Sequence, residues 1–155
     1  MQFINYFSAS IISYLGLMTG IMLVRIAPEE RKPLQKYFIF MRKILLLIIF
    51  VFLLFFYFND YFNLPVLAMY FIFLLFIEFK VDDLLKKSIL TYALLGILFF
   101  LSSKNTNLFA IESSLILLYG IPTASLMYNR KEKNSFKILF YNIGFIVITN
   151  LLFFI

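Results

Sequence analysis

Long apolar runs recur along the whole chain, broken only by short polar or charged segments. They cover residues 3–26, 38–58, 64–79, 84–101, 108–128 and 138–155. A helix needs about 20 apolar residues to cross the ~30 Å hydrocarbon layer of a bilayer. The longer runs meet that length, and the shorter ones gain it when flanking lysines and arginines extend their alkyl stems toward the headgroups. Inside lipid every backbone amide must be paired within the protein, so runs of this length read as helices. The pattern predicts an all-α integral membrane protein, a single domain over residues 1–155 with six transmembrane helices arranged as three out-in-out hairpins.

Composition agrees. Hydrophobic residues make up 63% of the chain and charged residues 14%, with a mean hydropathy of +0.96. A soluble domain carries about a quarter of its residues as charges. The first run lacks a basic leader and a small-residue cleavage site, and it is longer than the apolar region of a secretory signal, so a retained helix is expected. Cysteine and histidine are absent, which removes disulfides, thiolate chemistry and the commonest transition-metal ligands. No span carries paired carboxylates, no glycine-rich loop could cradle a phosphate, and the adjacent Asp82 and Asp83 would point different ways from one helix. Neither a catalytic residue, a cofactor site nor a metal site is expected, and the protein reads as a non-enzyme. The net charge of +6 would suggest nucleic acid in a soluble chain, but in a membrane protein the location of each cation matters more than the sum, so no nucleic-acid partner is expected.

Those locations set an orientation. With six spans, the loops at residues 25–43, 80–87 and 129–137 share one face and hold 13 of the 14 lysines and arginines, leaving only Lys104 opposite. Positive loops stay on the cytoplasmic side, which places both termini outside a cell membrane. The loop at 25–43 includes an elbow, Ala27 to Pro33. Pro28 suits the first position of a short interfacial helix, Glu29 and Glu30 suit the positive end of its dipole, and Pro33 is expected to limit it. The cations Arg25, Arg31, Lys32, Lys36, Arg42 and Lys43 either contact anionic lipid headgroups or serve only to orient the chain.

Before that elbow, Ala9, Ser13, Gly16, Gly20, Val24 and Ala27 fall within about 80° of helical arc, a ridge of small side chains that lets another helix come close. Its partner is either a helix of the same chain or, at a homo-oligomer seam, a second copy or another membrane protein. Spans one and five share a coarse Tyr, Gly, Thr series (Tyr14, Gly16, Thr19 against Tyr119, Gly120, Thr123), but the spacings differ and do not establish a repeat.

Within the spans, ionisable residues are few. Glu112, Ile116, Tyr119 and Thr123 fall within about 60° of one face of the fifth run, so a carboxylate, a phenol and a hydroxyl line one surface. If Glu112 is buried it is a proton or cation site. If the helix starts at residue 108, Glu112 lies only about 6 Å in and is a solvated charge at a helix start. Pro122, lacking an N–H, is expected to kink this helix. Asn142 and Thr149 share a face of the last run, and Ser88, Thr91, Tyr92 and Gly96 share a side of the fourth, as residues that hydrogen-bond between helices do. Two functions fit: a membrane-complex subunit that works by helix packing, or a small transporter or channel with Glu112, Tyr119 and Thr123 on its path.

Overall fold

The computed structural model describes residues 2–58, 63–128 and 135–154, excluding the side chains of Arg31, Asn63 and Ser135. Asn59 and Asp60, between the second and third apolar runs, and the cations Arg130, Lys131 and Lys133 lie outside the described residues. The described chain is helical throughout, in the order α1 (Phe3–Ile26), α2 (Arg31–Tyr57), α3 (Asn63–Lys80), α4 (Leu84–Ser102), α5 (Thr106–Met127), α6 (Ser135–Asn142) and α7 (Gly144–Phe153). Among the described residues, five stretches are long and apolar enough to cross a membrane: Phe3–Ile26, Lys32–Tyr57, Leu84–Ser102, Thr106–Met127 and Phe136–Phe153. The protein is an all-α membrane protein. Helix α3 has 18 residues, about 27 Å at 1.5 Å per residue, and is not among those five.

Short polar side chains start two of the helices. Asp83 caps α4, its Oδ1 accepting from the Leu85 amide at 2.9 Å, and Asn105 caps α5, its Oδ1 accepting from the amides of Asn107 and Leu108. Both satisfy amides that have no partner within the first helical turn. Asn105 therefore moves the start of α5 back to Thr106 and carries Glu112 deeper.

Two local expectations change. No short interfacial helix follows Ala27: residues 28–30 form a turn, and α2 begins at Arg31 and runs unbroken to Tyr57. Pro33 does not end a helix, because it is the third residue of α2, where its missing N–H is one that the first turn leaves unpaired anyway. The last apolar run is not one helix either. It breaks at Ile143, whose amide reaches only the carbonyl of Phe140, 3.3 Å away and three residues back. Helix α5 continues as a helix through Pro122.

Side-chain register gives the helix directions. Ser13 meets Ser113, Gly16 meets Leu117 and Gly120, and Gly20 meets Ile121 and Ala124, so α1 and α5 run parallel. Phe50 stacks on Phe71 while Arg42 pairs with Glu78, so α2 and α3 are antiparallel. Phe99 packs on Phe109 and Tyr92 on Tyr119, making α4 antiparallel to α5. Tyr6 donates to the Thr149 carbonyl at 3.0 Å, and Tyr14 donates to that of Leu139, so the α6–α7 segment returns against α1. Successive segments thus alternate in direction.

At the α1–α5 crossing the two backbones come into direct contact. A Cβ added at Gly16 would lie 1.9 Å from the Leu117 carbonyl oxygen, one at Gly20 2.4 Å from that of Ile121, and one at Gly120 2.5 Å from the Gly16 carbonyl carbon. Only glycine lets these backbones touch. The small-residue ridge of α1 is therefore filled by α5 of the same chain. Around this pair, Tyr6, Phe99, Phe109, Phe145 and Phe153 pack as an aromatic cluster at the end holding the chain's first residues. At the other end, side chains become polar and charged.

Candidate functional site

Helix α5 positions the central group. Ser13, near the middle of the 24-residue α1, donates to the Ser113 carbonyl at 3.0 Å, so the neighbouring Glu112 lies level with the middle of α1. Glu112 is six residues, about 9 Å, beyond the start of α5 and is 0% exposed, which removes the alternative of a solvated charge at the helix start. Neither carboxyl oxygen has a hydrogen-bond partner among the described residues. An ionised carboxylate held this way would face a desolvation cost of several kcal/mol.

Other polar groups line the interior from Glu112 toward the charged end. Tyr70 of α3 lies within electrostatic reach of Glu112, and its buried hydroxyl is also without a partner. Further along the same face of α5 come Tyr119 and Thr123, both fully buried. The Tyr119 ring lies 5.8 Å from that of Tyr92, and neither phenol has a partner among the described residues. Tyr119 sits beside Thr91 and Thr123 without reaching hydrogen-bond geometry with either, and each threonine donates back to its own helix, Thr91 to the Lys87 carbonyl and Thr123 to the Tyr119 carbonyl, both at 2.8 Å. Ser88 crosses between helices to the Asn142 amide oxygen at 2.8 Å. Three buried side chains, Glu112, Tyr92 and Tyr119, and the half-buried Tyr70 thus carry buried polar atoms with no partner among the described residues. A buried polar atom without a partner costs about 1–3 kcal/mol, so an accumulation of them calls for an explanation beyond packing.

Beyond Tyr119, and within its electrostatic reach, lies a buried ion network. Arg42 donates from Nη2 to both Glu78 oxygens, at 2.7 and 3.0 Å. Lys87 donates to the Glu78 carbonyl at 2.7 Å, with its Nζ 3.8 Å from Glu78 Oε1. Arg42 is only 2% exposed, which corrects its assignment as an anionic-lipid contact: the guanidinium points inward to a carboxylate on the next helix. Arg25, Lys32, Lys36 and Lys43 are exposed, with the Lys43 ammonium 5.8 Å from the centroid of the Phe79 ring. Arg31 opens α2, and its side chain lies outside the described residues.

Sequence positions alone did not bring out this network or Tyr70. Arg42 and Glu78 lie 36 residues apart on different helices, and their meeting depends on the antiparallel α2–α3 register. One signal was available: Glu78 is an acid at the end of an apolar run whose neighbours in the basic loops are cations. Glu112, Tyr119 and Thr123 do share one buried face, whereas Ser13, Gly16 and Gly20 are buried at the α1–α5 interface and Ala9 is half-buried against the core. Asp83 serves as a helix cap, and among the described residues no three acidic side chains come together.

No protein-family model, curated protein or solved structure matches this chain.

Proposed function

We propose that the chain is a small six-span membrane transporter, without catalytic activity, in which Glu112 binds a proton or small cation at the centre of the bundle. The observation that carries this reading is the burial of Glu112 with both oxygens unpaired, level with the middle of α1. Tyr119 and Thr123 lie on the path from Glu112 toward the Arg42–Glu78–Lys87 network, and Tyr70 and Tyr92 flank it. Ionisable groups inside membrane spans commonly mark ion and proton pathways. The competing reading as a helix-packing subunit drew on the glycine ridge of α1, and that ridge is occupied by α5.

The topology belongs to the same proposal. For α1 and α5 to run parallel, an odd number of crossings must separate them, and α2, α3 and α4 supply three. Counting α3 as a span collects the loops at 25–43, 80–87 and 129–137 on one face, which positive-inside sorting makes cytoplasmic, with both termini outside.

Purified protein in sealed vesicles tests the function. With an imposed pH gradient and a potassium-clamped potential, wild-type vesicles should dissipate the gradient faster than protein-free ones, and Glu112→Gln, which keeps shape but cannot release a proton, should return the rate to the protein-free level. Equal rates for wild type and Glu112→Gln would remove Glu112 from the path.

A further inference from the structure

A groove of about 160 Å³ runs between α2 and α3 on the outer surface of the bundle. Its walls are Leu46, Leu47, Leu74 and Leu75, with Phe71 at its deep end, held by a parallel stack on Phe50 with centroids 3.9 Å apart. Phe79 and Lys43 stand together at its mouth. From Lys43 to the level of the Phe50–Phe71 stack is about 10 Å, seven residues at 1.5 Å each. Leu47, Leu75 and Phe79 are exposed, so the groove opens sideways, toward lipid.

The charge at the mouth is unbalanced. Glu78 also borders the groove, but Arg42 holds both its oxygens and Lys87 stands 3.8 Å from one of them. Asp82 lies within electrostatic reach of Lys87. Among the described residues Lys43 pairs with no carboxylate, and its ammonium is left beside the Phe79 ring. Three cations, Arg42, Lys43 and Lys87, therefore stand against two acids, with the excess at the position where the apolar groove ends. A ligand complementary to that arrangement has a negative headgroup continuous with an apolar chain. We infer that the α2–α3 groove is a binding site for one anionic phospholipid, its phosphate on Lys43 and part of an acyl chain along Leu47 and Leu75. This site is separate from Glu112 and does not depend on the transport reading.

The chain has no tryptophan, so a single one reports its own surroundings. Leu47→Trp inside the groove, with Leu75→Trp as a second reporter should the first fold poorly, would be reconstituted in phosphatidylcholine containing a minor fraction of either brominated phosphatidylglycerol or brominated phosphatidylcholine. Leu118→Trp, on an exposed position of α5, is the control. The expected result is an apparent affinity about fivefold higher for the anionic quencher at the groove reporters, corresponding to the ~1 kcal/mol that one lysine contributes near anionic lipid. That preference should be lost in the Lys43→Gln background and absent at Leu118→Trp. Equal quenching by the two lipids at the groove, a preference that survives Lys43→Gln, or the same preference at Leu118→Trp would each overturn the site.

Discussion

Arg42 shows how a charged residue at a membrane boundary is assigned by what it touches. Its neighbours in sequence are cations and aromatics, the surroundings of a headgroup contact, yet its guanidinium is buried on Glu78. Breaking a buried pair leaves one charge uncompensated, which costs about 3–5 kcal/mol, whereas replacing both partners by apolar side chains of similar volume is close to neutral. Arg42→Met alone should therefore destabilise the protein by up to about that amount, with Lys87 still 3.8 Å from Glu78, and replacing Arg42, Glu78 and Lys87 together by Met should recover most of the loss, measured as unfolding midpoints in detergent. A triple variant as unstable as the single one would show that the ion network is not the reason for the loss. Glu112 behaves differently at the same scale. It has no hydrogen-bond partner among the described residues to lose, so substitution by glutamine should leave the fold unaffected while removing its chemistry. The sequence made Glu112 visible because an acid inside an apolar run stands out locally. Tyr70 did not stand out, since a tyrosine among phenylalanines is unremarkable until its hydroxyl is found buried and unpaired.

Among the elements, α1 and α5 form the frame on which the others are hung. Their backbones touch at Gly16, Gly20 and Gly120, and serine hydroxyls reinforce the seam at Ser13 to the Ser113 carbonyl and Ser125 to the Gly20 carbonyl, 3.0 and 3.2 Å. Gly16→Ala puts a methyl group where the Leu117 carbonyl stands, and because neither backbone has room to yield it should cost about 1–3 kcal/mol or more. Gly144→Ala, where an added Cβ meets nothing within 4 Å, should be tolerated. Equal thermal stability of the two variants would contradict the crossing. Helix locations were legible in the sequence because hydropathy is a local signal, and the small-residue ridge was legible because it repeats at helical spacing. Which helix filled the ridge was not, since that depends on the path of three intervening segments. The boundaries moved for local reasons as well: Asn105 starts α5 two residues earlier than the apolar run alone implies, and the first turn of α2 absorbs Pro33.

For the whole molecule, the alternation of helix directions ties the buried acid to a membrane topology. The aromatic cluster occupies one end of the bundle and the ion network the other, with Glu112 between them, so its place at mid-membrane holds only if α2, α3 and α4 each cross. Helix α3 is the deciding element, being outside the five stretches long and apolar enough to cross and the one joined to α2 by the Arg42–Glu78 pair. Because the chain has no cysteine, Lys36→Cys in the first turns of α2, before its long apolar run, and Lys104→Cys just after α4 provide single, exposed labels at the two ends of this three-helix stretch. With a membrane-impermeant maleimide, Lys104→Cys should react in intact cells and Lys36→Cys only after the membrane is opened. Labelling of both from the same side would mean an even number of crossings between them and would contradict the six-span bundle together with the central position it gives Glu112.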